Sequence, residues 1–216
     1  MKKIILSLVL CGFIGAGFAQ GVKFGVTAGL NTSTVAIDPN EVDFGYKLGF
    51  QAGLVLDLGI TNSFSIIPEL NFSQKGAKYS ESEDGVDFSW TAALNYLTLP
   101  INLAYKLDLG MDQKLMFFAG PYVGYGLSTS NKVKAAGVTV DVDEYLGDDY
   151  NFKFGSDNIL KSLDYGVNFG VGYQYSKIFF KLQYNLGLAN FANTDILGND
   201  ASIKNSNIAV TAGYMF

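Results

Sequence analysis

Arginine and histidine are absent from this chain of 216 residues, and all 15 basic residues are lysine. Without histidine, the usual general base of hydrolytic triads is missing. A lone carboxylate pair remains possible, but no spacing suggests one, so the chain is expected not to be an enzyme. Twenty acidic residues and no arginine make a poor nucleic-acid binder. Charged residues reach only 16%, below the roughly 25% of an average soluble domain. Proline is scarce, and cysteine occurs once, at Cys11. Past residue 19 no apolar run approaches the roughly 20 residues of a spanning helix.

The N-terminus accounts for some of these shortages. Lys2 and Lys3 precede a short apolar core from Ile4 to Ala16. Gly17 and Ala19 then supply small residues at the −3 and −1 positions of a cleavage site. This pattern predicts a secretory signal peptide over residues 1–19 and one mature domain over 20–216. Leu10 before Cys11 does not match a lipoprotein box, which wants a small residue there. The mature chain would carry no cysteine, and 13 lysines against 20 acids leave it at −7. An exported, apolar-rich chain without a spanning helix points to an outer-membrane barrel.

What is present in abundance is alternation. From Leu163 to Tyr175, the odd-numbered residues are Leu163, Tyr165, Val167, Phe169, Val171, Tyr173 and Tyr175. Between them stand Asp164, Gly166, Asn168, Gly170, Gly172 and Gln174. After Ser176-Lys177 a second alternating run, Ile178 to Ala189, begins. Two period-two runs separated by two residues predict a β-hairpin. One face is large and aromatic; the other is small, polar and rich in glycine. That suits a narrow barrel with its apolar face toward lipid and its small polar face inward.

The same pattern predicts strands from Lys23 to Asn31, Tyr46 to Leu58, Phe64 to Ser73, Tyr96 to Leu107, Leu115 to Ser128, and Ser206 to Phe216. With the hairpin these make eight. Loops are expected at 32–45, 74–91, 129–162 and 190–205, and the ends of 74–91 could extend the strands. Long and short connections alternate, as in barrels with short periplasmic turns and long outer loops. The fold class is therefore all-β: an eight-stranded antiparallel up-and-down transmembrane β-barrel. None of the 47 outward positions is charged. A mid-bilayer lysine would cost ~2–4 kcal/mol, which explains the bias. Aromatics gather toward two girdles, although Phe169 and Tyr184 fall near mid-depth. Pro68, Pro100 and Pro121 lie within strands and should each mark a bulge or a missing ladder bond.

Pro68 to Gly76 reads PELNFSQKG, and Tyr96 to Leu103 reads YLTLPINL. Gly120 to Tyr125 reads GPYVGY, and Tyr184 to Leu188 reads YNLGL. These four segments resemble the PELxYSQKG, YLxIPLL, GPYxGY and YNxGL motifs of the PorT-type outer-membrane β-barrel family common in Bacteroidota. They occur in order across the middle of the chain. The resemblance implies a barrel of the OmpA/OmpX size. The founding member takes part in type IX protein secretion, while most relatives have no assigned role.

The inward face contains Lys23, Lys47, Asp57, Glu69, Lys106, Asp164 and Lys181. Of these, Lys23, Asp57, Glu69, Lys106 and Lys181 are expected to form a structural charge network in a filled lumen, since buried charges need partners. A channel or small-ligand site using the lumen is the alternative. The loops hold 15 acids against seven lysines, Lys75 among them. Asp141, Asp143, Glu144, Asp148 and Asp149 form the best cation cluster, but Tyr145 and the missing turn glycine depart from the EF-hand pattern. No metal and no cofactor are expected. The weakly alternating stretch from Gly137 to Val142 could extend a strand or offer a docking edge. A soluble lipocalin-like carrier would need the large apolar face inward, against this pattern. The expected role is a non-enzymatic integral outer-membrane protein, a structural or accessory subunit of an envelope assembly. Its partners would be membrane lipid and other envelope proteins.

Overall fold

A computed structural model describes residues 21–38, 44–83, 86–135, 138–142, 144, 152–197 and 201–216. The predicted signal peptide lies outside the described residues, as do Asp143, Asp148 and Asp149 of the acidic cluster. The strands are β1 (Val22–Asp38), β2 (Gly45–Gly59), β3 (Phe64–Glu83), β4 (Val86–Gly110), β5 (Gln113–Ala135), β6 (Val138–Asp141), β7 (Leu163–Tyr175), β8 (Ile178–Gly187) and β9 (Ser202–Met215). A single helical turn, α1 (Thr194–Leu197), precedes β9. No helix among the described residues is long and apolar enough to cross a membrane.

Eight strands close a ring. Each pairs antiparallel with the next, β5 pairs with β7, and β9 returns to β1. β6 stands outside the ring and pairs with the upper end of β5, Lys132↔Asp141 to Ala135↔Val138. Closure removes every sheet edge from the hydrocarbon, where an unpaired amide would have no water to bond.

Side chains alternate as the sequence pattern requires. None of the 47 positions read as outward is buried; Leu58, Pro68, Phe72, Leu115 and Tyr184 are half-buried and the rest exposed. Aromatic pairs mark the periplasmic rim, Phe24 with Phe216 at 5.6 Å and Phe64 with Tyr105 at 5.2 Å between centroids. Phe50 and Phe72 pair nearer the outer rim at 5.5 Å. Phe169 and Tyr184 meet each other across the β7–β8 ladder at 5.4 Å. The Tyr184 hydroxyl bonds Ser206 at 2.9 Å, which satisfies its polar end away from the girdles.

The three prolines interrupt pairing without shifting it. The β2–β3 ladder skips at Ile67–Pro68, β3–β4 at Leu99–Pro100 and β4–β5 at Gly120–Pro121, with the same register on either side. Each is a missing bond, not a bulge. Bulges occur elsewhere, between Tyr46 and Gln51 and between Asn95 and Tyr96.

The strands run further outward than the sequence reading placed them. The stretch 74–91, read as a loop, is mostly ladder, paired from Gln74↔Asn95 to Glu83↔Val86. β1 continues to Asp38 and pairs there with the start of β9. β5 continues to Ala135. The turns stay short and share one mouth with the start of β1 and the end of β9, the periplasmic one by the loop asymmetry.

Candidate functional site in the barrel lumen

The lumen is built from the inward half of each strand, and its tiers can be read along single strands. From the periplasmic end, the inward residues of β3 are Ser65, Ile67, Glu69, Asn71, Ser73, Lys75 and Ala77, all buried. The corresponding run of β8 is Phe179, Lys181, Gln183 and Asn185. Both sequences pass from apolar to charged to amide.

At the periplasmic mouth the Lys106 ammonium donates to Asp57 Oδ2. Above it lies an apolar tier of Val55, Ile67, Ala104, Met116, Phe118, Phe179 and Met215. Its bulk requires bare backbone opposite: a Cβ on Gly170 would stand 2.6 Å from the Phe118 ring. Next, Lys181 Nζ donates to Glu69 Oε1 at 2.5 Å, and Asn71 donates to the other oxygen of Glu69 at 3.1 Å. The same ammonium lies 5.8 Å from the Phe118 ring centroid and 5.7 Å from that of Phe179. A cation over aromatic faces joins the charged tier to the apolar one.

An amide tier follows, where Gln183 donates to Asn185 at 2.6 Å. The cavity left here is about 10 Å³, room for a single water. Higher still, Lys75 Nζ donates to Asp164 Oδ2 at 3.1 Å, with the two side chains 3% and 0% exposed. Asn205 donates to the same oxygen at 3.0 Å, and the Tyr122 hydroxyl reaches both oxygens at 3.4 Å. Lys75 also sits between the rings of Tyr96 and Tyr122, at 5.1 and 4.8 Å. Removing a charge from water costs several kcal/mol, and here carboxylate, amide and aromatic partners together offset that cost.

The outer end is closed by apolar side chains from two segments. Leu94, Tyr96, Leu160, Phe191, Ala192 and Ile203 form a buried cluster, with Phe152 and Phe154 packed against it. Leu160 bridges both Phe154 and Ala192, which ties residues 152–160 to the segment after β8. Phe154 meets Tyr96 edge-on at 5.2 Å.

Of the five residues expected in the charge network, Asp57 and Lys106 meet, and so do Glu69 and Lys181. Lys23 does not join them in burial: it is exposed at the periplasmic mouth, across the β1–β2 ladder from Asp57. The two pairs stand on either side of the apolar tier. Lys75 was read as a loop lysine; it is instead a buried lumen cation. The signal for it was present, because alternation carried past Ser73 puts Lys75 on the inward face with Glu69 and Asn71. Lys47 is buried as well, and its ammonium donates to Gln74 Oε1 at 3.0 Å and to the Leu48 carbonyl at 3.2 Å.

No curated protein sequence matches this chain. Among solved structures it is similar to Neisserial surface protein A, at 12% identity and TM-score 0.48, covering 91% of this chain and 100% of that one. It is similar also to a major outer membrane protein from Thermus thermophilus, at 13% identity and TM-score 0.46 over 91% and 100%. A third is the attachment invasion locus protein Ail of Yersinia pestis, at 15% identity and TM-score 0.43 over 91% and 100%. The family model for the outer membrane protein beta-barrel domain matches residues 18–193. With its closed ring and uncharged outer wall, the chain belongs to that family of integral outer-membrane barrels.

Proposed function

We propose that this barrel is a non-enzymatic structural or accessory subunit of an envelope assembly, and that its lumen is a plug. The observation that carries this reading is the stacking of apolar and ion-paired tiers, with an amide layer that leaves room for about one water. A lumen packed in this way leaves the outer loops and the lipid-facing wall as the surfaces for partners. The absence of histidine supports a non-catalytic role. The PorT-like motifs support a place in secretion, uptake or membrane biogenesis. Export through a signal peptide over residues 1–19 is part of the same reading.

The test is capture of the tagged barrel from its native outer membrane in mild detergent, with quantitative mass spectrometry. A stoichiometric envelope partner is expected. A barrel that emerges alone would remove the accessory reading. Steady conductance in a planar bilayer would replace the plug with a narrow channel.

A further inference from the structure

We propose that the periplasmic mouth of the barrel is an anion site that takes inorganic phosphate, an oxyanion that still bears a P–OH group at neutral pH. A recess of about 130 Å³ opens there, and its lining includes Lys23, Asp57, Thr61, Ser65, Lys106 and Lys114. Three ammonium groups and one carboxylate leave this recess at +2, while the predicted mature chain is at −7. Deeper in the lumen the balance is different: Lys75 is matched by Asp164 and Lys181 by Glu69. Lys47, toward the outer end, adds one further ammonium, held by Gln74 and the Leu48 carbonyl, so the larger positive excess is at the mouth.

The groups are also arranged for recognition. Asp57 holds the Lys106 ammonium in place. Lys23 and Lys114 lie close enough for their charges to act on Lys106. Asp108 faces Lys114 across the β4–β5 ladder, but its Oδ1 accepts the Gly110 amide at 2.8 Å and it does not line the recess. Thr61 Oγ accepts the backbone amides of Ser63 and Phe64 at 3.2 and 3.0 Å, so its own proton remains to donate. Lysine serves as a point-charge donor to phosphate oxygens.

Asp57 decides which oxyanion fits. It lines the recess, and among the described residues Lys106, at Oδ2, is the one hydrogen-bond partner of its carboxylate, which keeps acceptor capacity. A carboxylate oxygen on the wall repels an oxyanion that can only accept. It welcomes one that can donate. Inorganic phosphate keeps at least one P–OH proton at neutral pH, whereas sulfate and a lipid phosphodiester have none to give.

The test uses the mature barrel in a neutral detergent, titrated calorimetrically with sodium phosphate and with sodium sulfate at matched ionic strength. Saturable binding of one phosphate is expected, with sulfate about tenfold weaker or worse. Lys114→Gln should weaken phosphate about tenfold, the effect of one unit charge at contact distance. Lys177→Gln, at the β7–β8 turn and outside the recess, should bind as wild type does. Heat-modifiable gel mobility checks that each variant is folded. Soluble glycerophosphoglycerol, the phosphodiester of a lipid headgroup without its chains, should not compete with phosphate at matched ionic strength. The assignment is overturned if wild type shows no saturable phosphate binding, if sulfate binds as tightly, or if both Lys114→Gln and Lys23→Gln bind unchanged. Competition by glycerophosphoglycerol would put a lipid phosphodiester in the recess and overturn it too.

Discussion

The Phe154 ring covers the bare Cα of Gly126, and a Cβ placed on that glycine would stand 2.7 Å from three of the ring's carbons. Gly126 is at the upper, inward face of β5, and Phe154 comes from the segment that closes the outer end. The closure therefore depends on a strand residue having no side chain.

Gly126→Val should push Phe154 out of the lumen. Overpacking of this kind costs about 1–3 kcal/mol. Denaturant unfolding in micelles would read the loss, and limited proteolysis would read the release of residues 152–162. Phe154→Ala in the same chain should recover part of the loss, because it removes the clash. Strictly additive effects would show that the two side chains do not compete for this space.

The Lys75–Asp164 pair joins β3 to β7 across the lumen, 89 residues apart in sequence. Both side chains are almost wholly buried. Among the described residues, Lys75→Met leaves the carboxylate with Asn205 and Tyr122 and should cost ~3–5 kcal/mol. The pair of substitutions Lys75→Met and Asp164→Leu removes both charges and should cost less than either single change. Guanidinium unfolding midpoints for the two singles and the double measure this coupling. A double variant as unstable as the sum of the singles would mean that the pair is not an energetic unit.

The ring of eight strands and the lipid-facing set were legible because hydrocarbon imposes one rule on every outward side chain. Leu54, Ile101, Val123 and Val210 all obey it, and alternation finds them. The signal fades where the strands leave the membrane. Beyond Ser73 the β3 residues alternate as before, but Lys78 and Ser80 point into water, so neither face is apolar. The ladder to Glu83 therefore read as a loop, and Lys75 went with it. The outer closure was illegible for another reason. Phe154, Leu160 and Phe191 reach the lumen from irregular segments, and no period in the sequence announces where such segments fold. Lys23 read as a network member because its parity is inward; parity does not say that the strand has reached the solvent.

Lysine substitutions can locate the edge of the membrane along these strands. Val210 is 58% exposed on the outer wall, paired between Leu30 and Leu182 near mid-depth. Val210→Lys should cost ~2–4 kcal/mol in a bilayer. Ser80 is exposed on the outward extension of β3. Ser80→Lys should change stability by no more than ~0.5 kcal/mol, as surface substitutions do. Reversible folding into lipid vesicles gives both values. A comparable penalty at the two sites would mean that the extension lies within the hydrocarbon.

The β4–β5 turn offers the opposite experiment, a gain. Gly110 and Gln113 pair around Met111 and Asp112, whose φ angles are +53° and +60°. Two positive φ values in a two-residue connection define a type I′ turn, which matches the twist of the flanking strands and prefers Asn-Gly. Methionine pays for that conformation with a Cβ crowded against its carbonyl, roughly 1–2 kcal/mol. Its side chain is 87% exposed, so little packing is lost on replacing it. The backbone bond crossing from this turn to the next uses the Asp112 carbonyl, which accepts the Ser176 amide at 2.8 Å and survives any side-chain change. Met111→Asn with Asp112→Gly should therefore stabilise the barrel by about 1 kcal/mol, read as a higher unfolding midpoint with an unchanged slope. A loss of stability instead would mean that Met111 makes a contact in the assembled membrane that outweighs its backbone strain.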